Sequence, residues 1–311
     1  MIRKTQHSIS DVFTAANSWP WFPAFSLLLA ATLWGIFWFP LRILAEYGLT
    51  GLWSSFFIYL GTTLVAVKML WGRLGELTQA PLALFVIALA SGWCNTAFIL
   101  AMLDGNVVRV LLLFYLSPVW TVILGHFFLN EQFHPRSFVV MGLAMMGAVI
   151  MLWHADIGLP IPQSEPDWLA LSSGMAFAVI NVSVRKTQQV SVGVKTSIAL
   201  LGAVLVSALL IMLTASPLGQ PGWMTIVSAL VFGMVVMALM TLSVQYGVTH
   251  MPVHRSAVIL LFEVVVGAIS AMILTDEVMT AREWLGGALV MVAAYLSAFI
   301  PNEAIVVQKQ G

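Results

Sequence analysis

Charged side chains are scarce in this chain: 13 basic and 13 acidic residues among 311, or 8%. Soluble domains carry about 25%. So few charges cannot cover a water-soluble globule of this length, which points to a membrane-embedded protein. The two signs cancel, so nothing recommends nucleic acid or a strongly anionic partner. A single cysteine, Cys94, lies within an apolar run, which excludes an intrachain disulfide. The six histidines are scattered without metal-ligand spacing; His250 and His254 share the connection after the eighth apolar run at i, i+4 but have no evident third ligand. No His-Glu-x-x-His, nucleophile or phosphate-loop motif occurs, so neither an enzyme nor a cofactor or metal is expected. The first 22 residues lack the basic, apolar and small-residue succession of a cleaved signal peptide.

What the chain has instead is apolar length, with 60% of its residues hydrophobic. Runs of about 20 such residues recur from end to end, and a helix of that length crosses a bilayer. They predict an all-α polytopic membrane protein with ten transmembrane helices, at 24–44, 52–71, 82–102, 107–129, 136–153, 167–186, 194–213, 223–246, 256–275 and 283–300. Lys and Arg set the orientation. With the N-terminus inside, ten basic residues (among them Lys68, Arg73, Arg136, Arg185, Lys186, Lys195 and Arg255) fall on the cytoplasmic side. Only Arg42, Arg109 and Arg282 fall outside. Both termini are therefore expected in the cytoplasm, with the proline-rich acidic linker after the fifth helix outside.

The shift that pairs Arg109 with Arg255 also pairs Val107 with Val253, Glu131 with Glu277 and Arg136 with Arg282, and sets Asn130 opposite Asp276. Apolar coincidences are common in such a chain; the Arg and Glu matches in one register are not explained that way. Five helices per half is an odd number, so the second copy enters the membrane inverted. The expected organisation is a cytoplasmic segment at 1–22, a first repeat at 23–154, an external linker at 155–166, a second repeat at 167–301 and a cytoplasmic tail at 302–311. Inverted repeats are the architecture of secondary transporters, which hold substrate near the midplane between the halves.

Candidate substrate-binding residues are the polar and aromatic groups deep in these helices. Glu263 lies near the centre of the ninth, where a charge costs at least about 2.5–3.5 kcal/mol. Either it packs against a neighbouring helix, or it lines a cavity and meets a substrate amine or a proton; ionisable groups within membranes are functional by default. Trp34, Trp38 and Arg42 follow one another at helical spacing on one face of the first helix, with Pro40 set to bend it. They read as a lipid-facing stripe or a cavity wall, and Trp34 is too deep for an interfacial belt. Asn95 and Asn181 are isolated amides, either packing glue between helices or donors to a substrate carboxylate. Trp93, Tyr115, Ser117 and Tyr246 are weaker candidates. Pro118 should bend the fourth helix and leave the Phe114 carbonyl without its helical donor.

The tails of the two halves, "VVRVLLLFYLSPVWTVILGHFFLNEQF" and "VHRSAVILLFEVVVGAISAMILTDEVM", resemble the EamA repeat of the drug/metabolite transporter superfamily. Ser117-Pro118 and Glu263-Val264 occupy the repeat's central Leu-Glu-Pro-Val or Leu-Ser-Pro-Val position, and Asn130-Glu131 and Asp276-Glu277 its exit. The "LWG" at Leu33–Gly35 also resembles the family's first helix. Two departures stand: the central proline is missing at Val264, and the exit glycine is replaced by Asn130 or Asp276. Within the family the chain is most similar to the YddG-type amino-acid exporters. The resemblance implies a multi-pass inner-membrane exporter of small amphipathic molecules, amino acids first, working by alternating access as a monomer or weak homodimer in the lipid bilayer. A proton-coupled exporter of cationic drugs or other metabolites is the alternative within that class; a membrane-embedded enzyme or a scaffold is the alternative outside it.

Overall fold

The computed structural model describes residues 21–49, 51–105, 107–130, 135–153, 161–274 and 279–298. The segments 1–20 and 299–311, residues 155–160 of the linker, and the exit residues Glu131, Asp276 and Glu277 lie outside them. Ten helical spans occupy the expected positions. They are α1 (Phe22–Ile36 and Trp38–Glu46), α2 (Gly51–Leu70), α3 (Pro81–Asp104), α4 (Val107–Phe114 and Ser117–Leu129), α5 (Pro135–Leu152), α6 (Glu165–Lys186), α7 (Val192–Thr214), α8 (Trp223–His250), α9 (Val253–Leu260 and Phe262–Leu274) and α10 (Ala281–Ala298). Among the described residues, the first nine are long and apolar enough to cross a membrane. The tenth opens on Arg282 and Glu283, which lowers its apolarity. Its start is a capping box: Glu283 Oε2 accepts from the Thr280 N–H at 2.6 Å, and the Glu283 N–H donates back to Thr280 Oγ1. Boundaries move by two to four residues: α6 begins at Glu165 rather than 167, α9 at Val253 rather than 256, and α8 runs on to His250 through a five-residue π-helical turn, Gly233–Met237.

Three spans break near their middles, and two of the breaks correspond. In α4 the turn at Tyr115 and Leu116 precedes Pro118, whose ring cannot supply a backbone donor. In α9 the turn falls at Leu261, in register with Tyr115, although Val264 stands where α4 has its proline. There the backbone tightens instead, with Leu261 N bonded to the Val258 carbonyl and Val264 N to that of Leu261. The α1 break sits at Phe37, one turn before Pro40, and the proline's missing N–H leaves the Ile36 carbonyl without its helical donor.

Packing repeats across the halves. The α3 helix lies on α6 as α8 lies on α1, and α4 meets α6 as α9 meets α1; α2–α7, α5–α10 and α4–α9 pair each span with its own counterpart. Close crossings obey the same symmetry. A Cβ at Gly35 would fall 2.8 Å from the Glu263 carbonyl oxygen at the α9 break, and one at Gly174 would fall 2.6 Å from the Phe114 carbonyl at the α4 break. Gly61 and Gly233 let α2 and α8 cross; Gly202 and Gly92 do the same for α7 and α3. Small residues let helix backbones approach where lipid supplies no hydrophobic drive. The chain is thus two inverted five-helix repeats, with the broken spans meeting at the centre.

Candidate binding cavity

Call the face on which α1 begins the near face, and the opposite one the far face. A cavity of about 730 Å³ extends from the far face to the middle of the molecule. Exposed Arg42 and half-buried Glu283 lie at its rim, and α1, α2, α3 and α9 supply most of its walls. The helical spacing of span α1 is realised here: Trp34, Trp38 and Arg42 all line it. Trp38 Nε1 donates to Ser270 Oγ at 3.0 Å, and Ser270 Oγ lies 2.8 Å from the Gly267 carbonyl, which fixes the indole against α9. Trp34 packs edge-on to Phe37, with ring centroids 5.2 Å apart.

Beneath the large cavity lies a smaller chamber of about 140 Å³. Trp34, Tyr59, Asn95, Phe98, Tyr115 and Glu263 line both, so they form the junction. Glu263 stands in the first turn of the second α9 segment, where the helix's positive end faces the carboxylate. It remains half-buried, its accessible surface opening on the cavity, and pairs with the Tyr115 hydroxyl. The Tyr59 hydroxyl donates to Asn95 Oδ1, and Asn95 Nδ2 donates to the Ser91 carbonyl at 2.8 Å. That pair orients the amide and leaves its second N–H for a ligand. The junction therefore presents one carboxyl group, one amide donor and aromatic walls, a set suited to a small amphipathic molecule carrying an amine.

The remaining sequence candidates lie elsewhere. Ser117 lines only the small chamber. Asn181 is buried, 1% exposed, and lines neither cavity; its Nδ2 has no hydrogen-bond partner among the described residues. Trp93 is exposed and donates to Ser172 Oγ at 3.2 Å. Tyr246 is buried against His250, ring centroids 4.2 Å apart, and against Phe22. Tyr59 and Phe98 were not singled out from the sequence. Tyr59 carries the signal that drew attention to Asn95, a polar atom deep in an apolar run. Phe98 carries none, since one phenylalanine among 18 is indistinguishable from packing.

Each face has its own polar tie. On the far side the Arg109 Nε lies 2.7 Å from Asp167 Oδ2 and joins α4 to α6. On the near side Lys195 is fully buried and donates to the carbonyls of Val184 (3.1 Å) and Thr187 (3.3 Å) and to Thr249 Oγ1 (2.7 Å). Arg185 and Gln188 both donate to the Thr249 carbonyl at 2.8 Å. These bonds tie the end of α6 to the end of α8 beyond the small chamber, so the described spans are drawn together on the near face and parted on the far one.

The EamA-like transporter family model matches residues 21–153 and 166–299, one copy for each half. Protein RarD of Salmonella typhi and that of Escherichia coli are each 28% identical over 138 residues, 43% of this chain and 43% of theirs. An uncharacterized transporter of Pseudomonas aeruginosa is 26% identical over 170 residues, 51% of this chain and 53% of its own. The chain thus spans about half the length of the curated relatives it matches. One solved crystal structure superposes with a TM-score of 0.72 at 16% identity, covering 88% of this chain and 95% of its own, which shows a shared fold.

Proposed function

The chain belongs to the EamA-like transporter family, and from that premise we propose that it is an exporter of small amphipathic metabolites, neutral and aromatic amino acids first. The observation that supports this reading is the junction between the two chambers. Glu263 is placed to take an ammonium group, the free Asn95 N–H a carboxylate, and the rings of Trp34, Trp38 and Phe98 an apolar side chain. At about 730 Å³ the large cavity falls within the range that encloses small-molecule ligands.

Transport would proceed by alternating access. The near face is cytoplasmic in this reading, by the distribution of Lys and Arg, so the cavity opens to the outside and the chain sits in the inner membrane. Closing the far face and loosening the Lys195–Thr249 tie would then expose the same junction to the cytoplasm. Counterflow of labelled L-phenylalanine in proteoliposomes, with a panel of competing amino acids and organic cations, tests the substrate class. Saturable counterflow inhibited by neutral amino acids supports it. Counterflow inhibited only by organic cations would favour the second reading, a cation exporter for which Glu263 is the counter-charge.

A further inference from the structure

The small chamber has a pedigree in the repeat. Wall residues from α4, α6 and α7 are the inverted counterparts of residues that line the large cavity on α9, α1 and α2. At the spacing that relates Gly35 to Gly174, Trp38 corresponds to Phe177 and Leu41 to Ile180. At the spacing of Gly61 and Gly202, Ile58 and Tyr59 correspond to Ala199 and Leu200. The register of Arg109 and Arg255 maps Glu263, Val264 and Gly267 onto Ser117, Pro118 and Thr121. Every one of these residues lines its respective chamber. The small chamber is therefore the collapsed image of the large one, facing the near side. The image is chemically altered: a hydroxyl, Ser117, stands where the large cavity has its carboxylate.

Its polar floor is not satisfied by the protein. Gln245 of α8 lines the chamber, is 3% exposed, and its side-chain Oε1 has no hydrogen-bond partner among the described residues. A buried amide oxygen without a donor costs about 1–3 kcal/mol, which a ligand donor would recover. The Gln245 backbone is held in place: its carbonyl accepts from Thr249 Oγ1 at 2.6 Å, and Thr249 in turn takes the Lys195 ammonium. The side chain is thus positioned from the near-face tie and left free at its tip. Ser117 and Thr121 stand on α4 in the same chamber.

We propose that this chamber is a second substrate subsite, serving the near face, in which Gln245 accepts a hydrogen bond from an N–H or O–H of a small neutral or zwitterionic solute. It rests on the transporter reading above and adds a residue that sets affinity on one side only. Solute moving from the junction to the Gln245 end of the chamber leaves the Glu263 carboxyl for an uncharged grip, so affinity differs between the two faces. The mapping onto the large cavity accounts for the smaller volume here, since only one member of the pair is expanded at a time.

The test uses the full chain in sealed vesicles of defined orientation. Half-saturating L-phenylalanine concentrations are measured separately at the near and far faces for the parent protein and for Gln245→Leu. The near-face value should rise about tenfold, the loss of roughly one hydrogen bond, while the far-face value stays within about twofold. An equal rise on both faces, or none, overturns the proposal. A substrate-independent arm separates this failure from failure of the amino-acid reading. In a Cys94→Ser background, Gln245→Cys should react with a membrane-impermeant methanethiosulfonate applied at the near face and not at the far one. Absence of reaction from the near face overturns the subsite, whatever the solute; reaction together with no phenylalanine transport overturns the choice of amino acids alone.

Discussion

Removing the Asp167 carboxylate tests how the far side of the bundle is held. Arg109 Nε and Asp167 Oδ2 are 2.7 Å apart, with the side chains 10% and 3% exposed. The same carboxylate oxygen accepts from the Gln163 N–H at 2.8 Å, and the Arg109 guanidinium also donates to the Ile161 carbonyl. Asp167→Ala removes a carboxylate from a buried cation and the acceptor from a backbone N–H. Breaking a buried pair in this way costs about 3–5 kcal/mol. Because Ile161 still accepts from the guanidinium, the lower end applies, about 3 kcal/mol. At about 2–4 °C per kcal/mol, the melting midpoint in detergent should fall by roughly 6–12 °C. Replacing both residues by leucine should recover most of that loss, because the desolvation penalty disappears with the pair. A double-mutant cycle read by thermal melting measures the coupling directly. A coupling energy below about 1 kcal/mol, the level of a solvent-screened surface pair, would refute the reasoning.

Three further outcomes follow from the same geometry. Trp34→Ala should raise the half-saturating substrate concentration by up to roughly tenfold while expression holds, since a wall ring is lost; equal transport by Trp34→Ala and by Trp19→Ala, a control in the 1–22 segment ahead of the first span, would remove Trp34 from the cavity wall. Gly35→Ala forces α1 off the Glu263 carbonyl and should cost about 1–3 kcal/mol in a melt; an unchanged midpoint would mean that the α1–α9 crossing has slack. Reporter fusions in the 155–160 stretch and at Gln188 should report opposite sides of the membrane, the former outside; the reverse assignment would exchange the faces and make the large cavity open to the cytoplasm.

Apolar periodicity made the ten spans legible because a bilayer demands an uninterrupted apolar helix of about 20 residues. The inverted repeat was legible because charged residues are so rare that Arg109 and Arg255 in one register stand out. The α9 break was not, since no proline marks it; only packing against Gly35 and the short bonds at Leu261 and Val264 reveal it. At the site, Glu263, Trp34, Trp38, Asn95 and Tyr115 could be picked out because each places polarity or aromatic bulk at midplane depth. Depth alone does not say which way a side chain faces. Asn181 has the same depth signal yet points into packing, Tyr246 near the end of α8 packs on His250, and Trp93 faces outward. Gln245 was passed over because it lies near a helix end, where a polar residue needs no explanation. What makes it notable is a chamber formed with seven other spans, and no local pattern encodes that.

The account turns on Glu263 as the group that meets substrate at the junction of the two chambers. Glu263→Gln keeps the shape and a partner for the Tyr115 hydroxyl while removing the charge. The measurement is counterflow in proteoliposomes across pH, alongside a melting curve for the same preparation. The account predicts an unchanged melting midpoint, with transport lost or stripped of its pH dependence. Transport equal to the parent at every pH would contradict it and leave Glu263 as packing; a collapsed midpoint would show instead that its charge holds the bundle together.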